Sequence, residues 1–245
     1  MTTVEALSPH RPRTPRSRRR VLRGLLWREW VLYYPALSWL LTIWLIAGWV
    51  LVLLNFRPEF VVLFVGSAFA LRCASTMGGG DVADGSEEFA FAMPISRSAY
   101  YLVRMAFGLA ALLGFCISTH LIAAWNLPQK AWGLIVTTGF TAPSLRTPRE
   151  YHFLVWLSVL LPLAYFGLTY SNAAVSRTAR SVHGTDSTSL FIITTLAGLA
   201  LFAETYFWPQ PTGYFTNPLL AVIFIVPLVL GYLGFIRKEV VDPRR

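Results

Sequence analysis

The sequence predicts an all-α integral membrane protein. Six transmembrane helices are expected, with both termini in the cytoplasm, an interfacial helix before the first span and a short cytoplasmic helix between spans 2 and 3. Three observations predict it. The chain of 245 residues is 55% apolar and only 13% charged, with a mean hydropathy of +0.54, against about 45–50% apolar and about 25% charged for a soluble domain. Its apolar residues gather into runs of about 20, and its arginines gather between those runs on one side. This balance excludes an ordinary cytosolic globule, a disordered chain and a collagen-like repeat, and two cysteines exclude a disulfide framework.

Residues 1–20 read as a disordered basic tail, with Pro9, Pro12 and Pro15 among its arginines. Ser17–Arg23 resembles a twin-arginine export signal. The apolar run after it is too long for a signal, follows Arg28 and Glu29, and lacks an Ala-x-Ala site. Arginines beside a first span fix topology and meet anionic lipid, so no nucleic acid is expected as partner.

Residues 21–35 read as an interfacial helix. Leu22, Leu26, Trp30 and Tyr33 recur at helical spacing, Arg23 and Arg28 supply a polar side, and Pro35 closes the stretch. The alternative is a ragged start to the first span.

A span needs about 20 apolar residues, because the hydrocarbon core is ~30 Å thick and a helix rises 1.5 Å per residue. Residues 36–54 satisfy this without a charge; seven Leu, two Ile and two Val contribute on the order of −5 kcal/mol towards insertion. Five further spans are expected at 60–77, 105–125, 153–170, 190–207 and 218–236, completing a transmembrane domain over 36–236 and leaving 237–245 as a cytoplasmic tail. Arg72 opposes the second span, at a cost of up to ~3 kcal/mol at mid-helix. Pro162 and Pro227 should kink the fourth and sixth.

With six spans and the N-terminus inside, sixteen basic residues fall on the inner side and four in the outer loops, the distribution of a multi-pass protein of the cell (inner) membrane. The outer loop 126–150 carries three of those four, and would lie inside if 60–77 did not cross.

The loop after the second span is the most informative stretch. Gly78, Gly79 and Gly80 should break the helix. Asp84 and Glu87 have the spacing of a capping box, residues 87–93 read as a short helix ended by Pro94, and Ser96 can cap the helix that enters the third span. Phe89, Phe91 and Met93 give this short helix an apolar surface, to be covered by the bundle or by a soluble partner.

The run Gly85–Arg104 (GSEEFAFAMPISRSAYYLVR) resembles a segment of ABC-2 type transporter permeases: glycine, then a carboxylate (Glu87 or Glu88), an apolar stretch, and Pro94-Ile95-Ser96-Arg97 leading into the third span. Residues 25–35, with Arg28, Glu29, Trp30 and Pro35, are similar to the family's pre-span helix. Phenylalanine and alanine stand where the family often has leucines, and the loop after the third span is long. The resemblance implies the membrane half of an exporter, in which two like or related chains enclose the pathway. It further implies that a separate ATP-binding subunit docks at Asp84, Gly85, Glu87, Glu88, Phe89, Phe91, Met93, Pro94, Ser96 and Arg97. ATP and magnesium would sit on that subunit. The residues agree with this division, since Lys130 and Lys238 are the only lysines and neither lies in a Walker A loop.

Ala106, Ala110, Gly114 and Ser118 form a small-residue stripe along the third span, for packing within the bundle or along a dimer seam. Arg72, His120 and Glu204 are the intramembrane ionisable groups. No catalytic or metal constellation joins His10, His120, His152 and His183, and Cys73 and Cys116 read as small apolar residues. The expectation is therefore a non-enzyme. A non-transporting anchor or assembly protein, or an intramembrane enzyme, are the alternatives.

Overall fold

The computed structural model describes residues 23–31, 34, 38, 42, 46, 58–86, 96–124, 148–207 and 213–238. Among them the chain is all-helical. Helix α1 covers 23–31. A short α2 (Pro58–Val61) passes through one π-helical turn (Val62–Gly66) into α3 (Ser67–Ala83). Then come α4 (Arg97–Ala124), α5 (Pro148–Val175), α6 (Ala179–Phe207) and α7 (Thr216–Arg237). Five of these stretches are long and apolar enough to cross a membrane: Glu59–Ala83, Arg97–Leu121, His152–Val175, Ala179–Phe207 and Thr216–Arg237. Of the expected first span only Ser38, Thr42 and Ile46 are described, each helical, with the Thr42 hydroxyl donating to the Ser38 carbonyl at 2.9 Å.

The helices run alternately up and down. The end of α3, the start of α4, the end of α5, the start of α6 and the end of α7 share one side, the base. Helices α3 and α5 are the most buried and α6 and α7 the least. The core between them is aromatic: Phe69 stacks on Phe115 and Phe166 on Tyr170, while the Tyr170 hydroxyl donates to the Tyr101 carbonyl at 2.8 Å.

Two expectations require correction. Gly78, Gly79 and Gly80 do not break the helix, which continues to Ala83. A Cβ at Gly78 would lie 2.6 Å from the Tyr170 carbonyl oxygen, and one at Gly79 2.7 Å from the Val182 side chain. Gly78 and Gly79 let α5 and α6 pack closely on α3, and that packing offsets the ~1 kcal/mol that a glycine costs within a helix. Asp84 is a C-cap rather than an N-cap. Gly85 takes a positive φ of 68°, its N–H bonds to the Val82 carbonyl, and the Ser86 N–H returns to the Asp81 carbonyl at 2.8 Å. That pair of bonds is a Schellman ending, which a glycine enters without strain. The chain remains helical through Pro162 and Pro227. Helix α6 begins at Ala179, eleven residues before the expected 190.

Candidate functional site: a buried charge junction at the base

Three helices that are far apart in sequence converge at the base. Arg28 and Glu29 come from α1, Asp81 from the last turn of α3, and Tyr100 and Arg104 from successive turns of α4. The spacing of four between Tyr100 and Arg104 puts both on one face of α4. The Arg104 guanidinium bridges two carboxylates, with Nη1 at 2.8 Å from Asp81 Oδ2 and Nε at 3.3 Å from Glu29 Oε2. Arg28 closes the ring from the other side, at 3.2 Å from Asp81 Oδ1 and 3.6 Å from Glu29 Oε1. The Tyr100 hydroxyl donates to Asp81 and accepts from Arg104 Nη1 at 2.8 Å. Both guanidiniums lie over the Tyr100 ring, at 5.2 Å for Arg104 and 6.0 Å for Arg28.

Two guanidiniums thus meet two carboxyl groups in one cluster. The Glu29 side chain is fully buried and Arg104 and Asp81 nearly so, leaving Arg28 as its most exposed member. Burial pushes the Glu29 carboxyl above its usual range, against the opposing pull of Arg104 and Arg28. Its oxygens face the guanidiniums at ion-pair distance without aligned hydrogen bonds.

The junction flanks the segment expected to couple. Asp84 and Gly85 form the turn that ends α3, and the Ser86 hydroxyl donates to Asp81 Oδ1 at 3.3 Å. Ser96 Oγ accepts the Ala99 N–H at the head of α4. Arg97 turns away from this turn and donates to the Ile236 and Lys238 carbonyls at the end of α7. Lys238 in turn donates to the Ala174 and Ser176 carbonyls at the end of α5. These cations satisfy carbonyls that a helix end leaves open. Glu87, Glu88, Phe89, Phe91, Met93 and Pro94 lie outside the described residues, as does Pro35. Trp30 is exposed on α1, its ring edge-on to Phe107. Along α4, Ala106, Ala110 and Gly114 are exposed and Ser118 half-buried; the buried face of that helix carries Arg104, Gly108, Leu112, Phe115 and Thr119 instead.

The other ionisable groups separate. Glu204 is fully buried and accepts from the Gly213 N–H, the Thr216 N–H and the Thr216 hydroxyl, clipping the turn before α7 to α6. His120 faces the Ser158 hydroxyl at 3.3 Å. Arg72 is exposed on α3, and near it Asp186 of α6 accepts from Ser75 at 3.3 Å. Asp81 and Asp186 do not stand out in the sequence. Asp81 directly follows the three glycines, and Asp186 falls in what reads as an inner loop.

No family model matches the chain, and neither a curated protein nor a solved structure matches it.

Proposed function

We propose that the chain is the permease subunit of an ATP-driven exporter of ABC-2 type, a multi-pass protein of the cell membrane with six spans and both termini inside. It works with a separate ATP-binding subunit that holds ATP and magnesium and docks on the segment 84–97. A second copy or a related permease completes the pathway, and this chain performs no catalysis itself. The observation that carries this reading is the junction: the two helices that bound residues 87–95, α3 and α4, are joined to each other and to α1 by Asp81, Arg104 and Glu29. A force applied at that segment reaches two spans and the pre-span helix together. The arginine-rich composition of the same side agrees with an inner location.

Co-purification tests it. The tagged full-length protein should retain an ATPase, and Glu87→Lys combined with Phe89→Ala should lose it. Retention at the wild-type level by the double variant would refute the docking assignment.

A further inference from the structure

Most buried serines and threonines in this bundle return their hydroxyls to carbonyls of their own helices. Thr119, Ser158, Ser171 and Thr185 all do so, the usual solution away from water. Thr169 of α5 and Ser189 of α6 do not: both are fully buried, and neither hydroxyl has a partner. Oδ1 of Asp186 is also buried and unpartnered, while its Oδ2 accepts from Ser75 of α3 at 3.3 Å. Folded proteins leave few such atoms unmet, and a bound water or ion is what meets many of those that remain.

The unmet atoms stand in one layer. Helix α6 runs antiparallel to α3 and α5, with Val182 against Gly79, Asp186 against Ser75 and Thr194 against Tyr165. That register puts Ser189 one turn above Ser75, at the level of Arg72, and puts Thr169 at the level of Ser189 and Leu190. The layer lies about 10–15 Å along α6 from its first residue. Among the described residues no cation is within ion-pair distance of Asp186. Arg72 and His183 act on it only through space, and both are exposed. Asp186 is half-buried, so the layer opens beside it towards the side on which Ser187 is exposed.

We infer that Asp186, Ser75, Ser189 and Thr169 form a site for one monovalent alkali cation, held between α3, α5 and α6. Its donors are all oxygens, as a hard cation requires. One carboxylate balances a single positive charge in a medium of low dielectric constant, whereas a divalent ion would keep an unmatched charge. Water alone would satisfy the hydroxyls and leave the carboxylate without a counter-charge. The site needs no ATP-binding subunit, so its failure would leave the docking assignment where it stands.

The test is equilibrium dialysis of the full-length protein in detergent against radioactive sodium, with choline chloride holding the ionic strength. The wild type should bind a single ion per chain, displaced by excess sodium or potassium and not by choline. Asp186→Asn should weaken binding at least about tenfold, and Thr169→Val combined with Ser189→Ala should do the same. Arg72→Gln should tighten it about two- to fivefold, because a repelling cation is gone. A change that acted only through the fold would not move affinity in that direction. Gel filtration and thermal unfolding in choline chloride identify the variants that stay folded. If Asp186→Asn unfolds, the hydroxyl variant and Arg72→Gln decide. No saturable sodium on the wild type, the result for trapped water or a protonated Asp186, would overturn the inference. Wild-type affinity in a folded Asp186→Asn or hydroxyl variant would do the same. So would weaker binding in a folded Arg72→Gln, or displacement by magnesium at a lower concentration than by sodium.

Discussion

At the scale of single residues, the junction carries the largest expected effects. Removing one partner of a buried ion pair leaves a charge without compensation, at a cost of about 3–5 kcal/mol. Arg104→Ala leaves Glu29 and Asp81 to share Arg28, the most exposed member of the cluster, and should show the larger part of that loss in thermal unfolding in detergent. Arg28→Ala should cost clearly less, because the Arg28 side chain is 27% exposed and water can take over part of its role. Glu29 also sets a pH dependence. Its folded-state carboxyl is raised above the ordinary range, chiefly by burial. Its contribution is therefore fully present below the unfolded value and is lost as pH rises through the folded one. Melting temperatures measured between about pH 4 and pH 8 should fall with rising pH more steeply for the wild type than for Glu29→Gln. At the far end of the bundle, Glu204→Ala removes the acceptor of three buried donors and should destabilise by about 2–3 kcal/mol. These roles were not legible in the sequence. Arg28 and Asp81 are 53 positions apart, and nothing in the composition near either one names the other.

At the scale of elements, the glycine run is where the structure departs from the expectation. Three glycines together read as a helix break, but the helix runs through them because the neighbouring helices pack there. Here Tyr170 and Val182 decide for close approach. Gly78→Ala should therefore destabilise by about 1–3 kcal/mol through overpacking, although alanine is the better helix former. Gly114→Ala, where an added Cβ meets nothing within 4 Å, should be neutral or stabilise by about 0.5–1 kcal/mol. Measuring both by thermal unfolding separates packing from helix propensity. Helix α6 extends eleven residues beyond the apolar run at 190–207. Arg180, His183 and Asp186 give residues 179–189 a loop-like composition, yet Val182, Thr185 and Ser189 recur on its buried side and hold it helical.

At the scale of the molecule, the membrane character was legible at once, because bilayer thickness demands long apolar runs, and five helices among the described residues are long and apolar enough to cross. Orientation is a separate matter that rests on the arginines. Cysteine labelling in intact cells and inverted vesicles measures it: position 137 should react from outside, and Arg177→Cys, exposed in the turn between α5 and α6, should react from the cytoplasm. Labelling of position 137 from the cytoplasm would refute the six-span arrangement.

The cationic ties at the base have a consequence for stiffness. Arg97 links the head of α4 to the tail of α7, Lys238 links that tail to the end of α5, and Arg104 links α4 to α3 and α1. Five helix ends are therefore stitched into one continuous binding, like the spine of a book. The bundle should flex by fanning at the opposite end, so amide hydrogen exchange near the spine should be slower than at equivalent depth on the other side.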